Sequence, residues 1–166
     1  MKIIAAIDRN RGIGKNGRML AHLPADLKRF KEKTKNKVVV MGRGTFESLP
    51  GQRPLADRTN IVITRNENYD AGGAIVVKDL DGLFSKLGAF DKDDIFVIGG
   101  EQIYKAMLKY CDTAYITLID ASFDADSFFP DIDSQKDWEL VDRSGKINDN
   151  GYEIEFLLYR NKYPVT

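Results

Sequence analysis

Residues 37–51, KVVVMGRGTFESLPG, carry a continuous apolar run through Gly42-Arg43-Gly44 into a short segment closed by Pro50-Gly51. An apolar run bounded by glycine reads as a strand buried on both faces, and Arg43 to Leu49 as the helix that follows it. The same arrangement recurs at 95–109, where IFVIGG leads into a helix from about Glu101 to Lys109. Buried strands alternating with helices imply a mostly parallel sheet covered on both sides.

The flanking sequence extends this pattern. KIIAAI at 2–7 is another buried strand, followed by a loop rich in Gly, Arg and Asn from Asp8 to about Leu23. Pro24 suits the first position of a helix in which Leu23, Leu27, Phe30 and Thr34 share one face. NIVITR at 60–65 and AIVV at 74–77 are further strands. Asp79 can cap a helix that places Leu80, Leu83, Phe84 and Leu87 at i, i+3, i+4 and i+7. TAYITLI at 113–119 is the sixth strand. In the tail, Trp138 to Arg143 and Tyr152 to Tyr159 read as two strands joined by a loop ending in the turn signal Asn150-Gly151. The expected fold class is α/β: one domain over residues 1–166, with a mostly parallel central sheet flanked by helices and a C-terminal antiparallel hairpin.

Composition narrows the chemistry. The 166 residues carry 25 Lys plus Arg against 25 Asp plus Glu. That balance disfavours a broad basic face and hence a nucleic-acid partner. No apolar run approaches the roughly 18 residues of a membrane span, and no signal-peptide pattern opens the chain. Cys111 is the only cysteine and His22 the only histidine, so an intrachain disulfide and a Cys/His zinc site are excluded by counting. A Ser-His-Asp site would have to use His22, which lies between Ala21 and Leu23 with no nucleophile elbow nearby. The expectation is a cytoplasmic monomer without metal, membrane or nucleic-acid partners. Its chemistry must come from carboxylates, backbone groups or a bound cofactor.

Three glycine patterns compete as phosphate sites. Gly12, Gly14 and Gly17 spell G-x-G-x-x-G, but Asp8 to Arg11 separate them from the first strand and the helix waits until Pro24. A dinucleotide fingerprint needs strand, glycines and helix in direct succession, so a plain glycine-rich loop is favoured there. The junctions at Gly42-Arg43-Gly44-Thr45 and at Gly99-Gly100 satisfy that succession. Arg43, Thr45 and the pair Thr64-Arg65 supply cations and hydroxyls at the carboxyl ends of strands, where ligands collect in open α/β sheets. The competing reading is that these glycines merely make tight turns.

Asp26 is the most informative single residue. On a helical wheel it lies about 40° from Phe30, bordering the apolar stripe instead of the face of Lys28, Arg29, Lys31 and Glu32. One reading is a first-turn acid favoured by the helix dipole. The other is a partly buried carboxylate of raised pKa, suited to an amidine-like heterocycle.

Taken together, the motifs resemble those of dihydrofolate reductases. LPADLKRF at 23–30 is similar to that family's substrate helix, VVVMGRGTFESL at 38–49 to its NADPH helix, and FVIGGEQIY at 96–104 to its Gly-Gly cofactor turn. RPLADRTNIVITR at 53–65 and DADSFFP at 124–130 follow in the same order. The resemblance implies hydride transfer from NADPH to dihydrofolate, giving tetrahydrofolate for one-carbon metabolism, in a protein of the antifolate-target class. It implies that Asp26 holds the pterin amino group and ring nitrogen. Ile4, Ala6, Leu27, Phe30, Ile98 and Thr117 would line the pterin pocket, with Leu49 and Leu55 along the benzoyl portion and Arg58 on the glutamate α-carboxylate. On the cofactor side it implies Arg43 and Thr64 at the 2′-phosphate, with Arg65 assisting them and Lys78 near the adenine. Thr45, Gly100 and Gln102 would approach the pyrophosphate, and Ala6, Ile13, Gly42, Gly44, Gly99, Ile103 and Tyr104 would complete the cofactor surface. Gly99-Gly100 would be a cis bond. Met19 would belong to the loop that closes over the nicotinamide. Leu20 and Ala21 stand where the family usually has Pro-Trp, and Gln102 where it often has a base. Two rivals remain open at this level. One is an NADPH reductase of the riboflavin pathway, which should lack the Asp26 and Arg58 pairing; the other is a non-catalytic folate-binding protein.

Overall fold

A computed structural model describes residues 1–166. Ten strands and four α-helices follow one another in the order β1 (Lys2–Ile7), β2 (Gly12–Gly14), α1 (Pro24–Thr34), β3 (Val38–Gly42), α2 (Arg43–Ser48), β4 (Thr59–Ile63), β5 (Ile75–Val77), α3 (Leu80–Leu87), β6 (Ile95–Gly99), α4 (Glu101–Met107), β7 (Thr113–Ile119), β8 (Ser127–Phe128), β9 (Trp138–Asp149) and β10 (Tyr152–Asn161). Eight strands form one sheet in the order β5-β4-β3-β6-β1-β7-β10-β9. The pairings from β5 to β7 are parallel, and β10 pairs antiparallel with both β7 and β9. Each parallel strand is short and apolar because helices cover both faces.

Alternation sorts the core into two layers. Ile3, Val40 and Val97 point into the larger cluster, and their neighbours Ile4, Val39, Met41 and Phe96 into the smaller one on the opposite face. Met41 is opposite Gly99, and Ala6 opposite Thr117. The carboxyl ends of β3, β6, β1 and β7 therefore lie side by side along one edge of the sheet, where α/β folds collect ligands. No helix is long and apolar enough to cross a membrane.

Two expectations need correction. The segment from Asp8 to Leu23 is not loop throughout: Gly12–Gly14 forms β2, paired antiparallel with β8. The first strand of the hairpin does not stop at Arg143 either. β9 continues to Asp149, and only the two-residue turn Asn150-Gly151, with φ of 52° and 89°, separates it from β10. Its residues from Glu139 to Asn148 are exposed, so this edge strand shows no apolar alternation that a sequence could reveal. A register shift between Arg143 and Lys146 marks a bulge within it.

Candidate active site

Helix α1 presents Asp26 to the sheet edge. Leu23 occupies the cap position without a capping side chain, and Pro24 fills the first turn. The two free N–H groups that follow, of Ala25 and Asp26, both donate to the carboxylate of Asp149, each at 3.1 Å. The cap is thus supplied by the hairpin, 123 residues away from Asp26. Thr117 Oγ1 on β7 donates to Asp26 Oδ1 at 2.5 Å. Burial raises the Asp26 pKa; the Thr117 hydroxyl and the Arg29 guanidinium pull the other way, and the Asp149 carboxylate adds to the rise.

Of the expected pocket residues, Ile4, Phe30, Leu49, Leu55 and Ile98 come together on the smaller core cluster, the last four only half-buried. Ala6 and Ala21 are half-buried against Leu23, Ile119 and Ile154. Leu27 is half-buried on α1 and Thr117 is buried. Arg58 lies at the far end of the same helix. Its Nη1 donates to Thr34 Oγ1 at 3.1 Å, its Nε donates to the Ala56 carbonyl at 2.9 Å, and its guanidinium lies 6.0 Å from the Phe30 ring centroid. It forms no ion pair with any acidic side chain; burial lowers its pKa. Thr34, expected only as part of an apolar face, is the hinge of this arrangement, since its hydroxyl also donates to the Phe30 carbonyl at 2.8 Å. From Asp26 to Thr34 the helix rises about 12 Å. A carboxylate and an unpaired guanidinium thus flank an apolar groove at a spacing suited to a ligand with a cationic or amidine head and an anionic tail.

The two glycine junctions meet. A Cβ at Gly100 would stand 3.4 Å from Thr45 Oγ1, and one at Gly42 would stand 3.2 Å from Ile103. Gly44 faces open space and the Gly99–Gly100 bond is cis. These are the surroundings that a pyrophosphate in close contact with backbone requires. Arg43 is exposed, ion-paired with Glu47 at 2.7 Å and stacked 4.6 Å from the Tyr69 centroid. Thr64 lies half-buried just beyond β4, Arg65 and Gln102 are exposed, and Lys78 pairs with Glu67 at 3.4 Å. Tyr104 is buried behind Gly99, and its hydroxyl donates to the Ile4 carbonyl at 2.8 Å. Ile13 packs on the larger core cluster, and Met19 is 62 % exposed on the loop before α1.

The G-x-G-x-x-G pattern has a packing cause. A Cβ at Gly12 would come 2.6 Å from the Ala125 Cβ and 3.0 Å from the Asp8 carboxylate. That buried carboxylate accepts from the N–H groups of Asn10, Gly12 and Phe123, tying β1, β2 and the segment before β8 together. Asp8, Thr34, Glu47 and Asp149 escaped the sequence reading because their partners are brought in by the fold. His22 is exposed.

A family model described as dihydrofolate reductase matches residues 1–161. The chain is 42 % identical over 159 residues to dihydrofolate reductase type 3 of Salmonella typhimurium, covering 95 % of each chain. It is 38 % identical over 164 residues to the dihydrofolate reductase of Bacillus subtilis strain 168, covering 98 % of this chain and 95 % of the relative. The structure of a dihydrofolate reductase from Enterococcus faecalis, complexed with NADP(H) and RAB-propyl, superposes with a TM-score of 0.87 at 37 % identity, covering 96 % of this chain and 95 % of that one.

Proposed function

The chain belongs to the dihydrofolate reductase family, and from that premise we propose that Asp26 and Arg58 grip the two ends of dihydrofolate while NADPH lies across the joined glycine junctions. The reaction is the NADPH-dependent reduction of dihydrofolate to tetrahydrofolate. The observation that carries the site assignment is a half-buried, hydrogen-bonded carboxylate near the start of α1 and a guanidinium with no acidic partner against its end. A riboflavin-pathway reductase would have no use for that pair, and the relatives named above remove it as a rival.

Each residue then has a physical task. The Asp26 carboxylate binds the pterin amino group and ring nitrogen through charge-assisted hydrogen bonds, with Thr117 fixing its orientation. Ile4, Ala6, Leu27, Phe30 and Ile98 exclude water around the ring, Leu49 and Leu55 flank the benzoyl group, and Arg58 takes the glutamate α-carboxylate bidentately. When bound, NADPH supplies the hydride. Arg43 and Thr64 would take its 2′-phosphate with Arg65 assisting, and Lys78 would lie near its adenine; Thr45, Gly100 and Gln102 would approach its pyrophosphate; Gly42, Gly44, Gly99, Ile13, Ile103 and Tyr104 would shape the rest of its bed. Met19 sits on the segment that closes over the nicotinamide. Asp26 favours protonation of the ring nitrogen beside the accepting carbon, the proton itself coming from water.

Residues 1–166 act as one domain, working as a cytoplasmic monomer that supplies one-carbon metabolism and is open to antifolates. The test is loss of NADPH absorbance with and without dihydrofolate. Oxidation that depends on dihydrofolate is expected, and its absence from folded protein would overturn the reading.

A further inference from the structure

The hairpin reaches the chemistry through one carboxylate. Asp149 ends β9, is only 4 % exposed, and spends both of its oxygens on consecutive N–H groups of the first turn of α1. Beside it, Asn150 Nδ2 donates to the His22 carbonyl at 3.0 Å, so the turn is fastened on both sides of Leu23. Neither contact is needed to close the hairpin, whose ladder with β10 is complete up to Asp149 and Tyr152. Pro24 offers no N–H and Leu23 no side-chain acceptor, which leaves the start of this helix without a local cap.

We propose that Asp149 is a positioning residue for the reduction: its buried carboxylate fixes the first turn of α1, and with it the place of the Asp26 carboxylate and the charge around it. This rests on the assignment of Asp26 given above. Placement follows from the bond to the Asp26 N–H itself. The electrostatic part follows from setting a second, buried carboxylate against the same turn, because a nearby negative charge makes the Asp26 end of the groove hold a proton more firmly. Asp26 is faced by Arg29 on α1, by Asp149 on β9, by the neutral Thr117 on β7 and by Tyr104 on α4, whose phenol is itself pushed up by burial and by Asp26. Among these, Asp149 is the only other carboxylate.

The measurement is the single-turnover hydride-transfer rate of the preformed NADPH complex as a function of pH. Asp149→Asn keeps size and one acceptor but removes the charge; Asp149→Ser also removes the charge and keeps one acceptor. In both, the site around Asp26 carries one negative charge fewer, so the protonated ring nitrogen that the Asp26 anion favours gives up its proton more readily; the alkaline fall in rate moves to lower pH by about half a unit or more, and the rate on that limb drops about three- to tenfold. A variant that melts earlier but keeps the parental pH profile shows an ordinary cap and overturns the proposal. A profile moved as far by His22→Gln assigns the shift to that exposed imidazole and also overturns it. Asp26→Asn separates the two readings. An alkaline limb that stays at its parental pH in Asp26→Asn fails the assignment of Asp26. A limb moved to lower pH in Asp26→Asn but unmoved in both Asp149 variants fails this proposal alone.

Discussion

Arg58 and Arg43, the two arginines proposed above to meet ligand anions, are held by the fold in opposite ways. Arg58 is half-buried, meets only neutral acceptors at Thr34 and Ala56, and its desolvation lowers its pKa. Arg43 is exposed, ion-paired with Glu47 and laid over Tyr69, and the Glu47 contact raises its pKa. Arg58 thus holds an unpaired charge in a fixed direction. Arg43 keeps its charge neutralised until another anion competes for it. A guanidinium held without a counter-ion binds its anion with little reorganisation, whereas a paired one must first exchange partners.

The largest effect that can test this contrast lies beside Arg58, at Asp26. Asp26→Asn keeps the volume and an acceptor for Thr117 but not the charge. Turnover at neutral pH is expected to fall about 10²- to 10⁴-fold, the usual span of such groups. Stability should move the other way. The raised Asp26 pKa means that the folded protein prefers the neutral carboxyl. Ionisation therefore works against folding, with no penalty below the ordinary value of 3.8 and the full penalty once pH passes the raised one. The amide should raise Tm at pH 7 by about 2–4 °C, a gain that shrinks in acid. Full activity, or a Tm gain independent of pH, would break the account of Asp26.

Arg58→Leu comes next. Leaving the glutamate carboxylate without its partner should weaken dihydrofolate by about 2–5 kcal/mol, while NADPH titrates as before. The competing outcome is that of a surface arginine, worth less than about 1 kcal/mol. A small change in Kd would erase the difference between the two arginines on which the comparison stands.

Much of this site is legible in the residues, and the rest is not, for physical reasons. Buried parallel strands have continuous apolar sequences, so β1, β3, β6 and β7 declare themselves, and with them the glycine junctions at their carboxyl ends. Asp26 stands out because an acid on the apolar flank of a helix breaks its period. Asp149, by contrast, sits in a polar edge strand with no periodicity, and its partners lie across the fold. Glu47 reads as one more exposed helical acid until Tyr69 and Arg43 are seen to share it.

Ala21→Trp tests the groove itself. Ala21 is half-buried next to Ala6 and the cluster of Leu23, Ile119 and Ile154, so it does not simply face solvent. An indole there should bury new apolar area against a folate analogue and tighten it by roughly 1–2 kcal/mol in the NADPH complex. Overpacking against Leu23 opposes this at about 1–3 kcal/mol. Weaker or unchanged Kd would mean that the fold has already filled the space.

Glu47→Gln gives the smallest effect and addresses the cofactor half of the contrast directly. Glu47 accepts from Arg43 at 2.7 Å and from the Tyr69 hydroxyl at 3.2 Å, so its charge is shared between a cation and a phenol. Glutamine can keep the Tyr69 contact through its carbonyl while giving up most of its hold on the guanidinium. NADPH should then bind about two- to threefold more tightly, because an exposed ion pair competes only weakly with an incoming dianion. NADH, which has no 2′-phosphate, should be unaffected. If NADPH weakens, Glu47 is orienting Arg43 through the Tyr69 face instead of detaining it, since a guanidinium freed from its carboxylate could also leave the ring. Equal tightening of both cofactors would place the effect away from the 2′-phosphate, and Arg43 would no longer be the paired counterpart of Arg58.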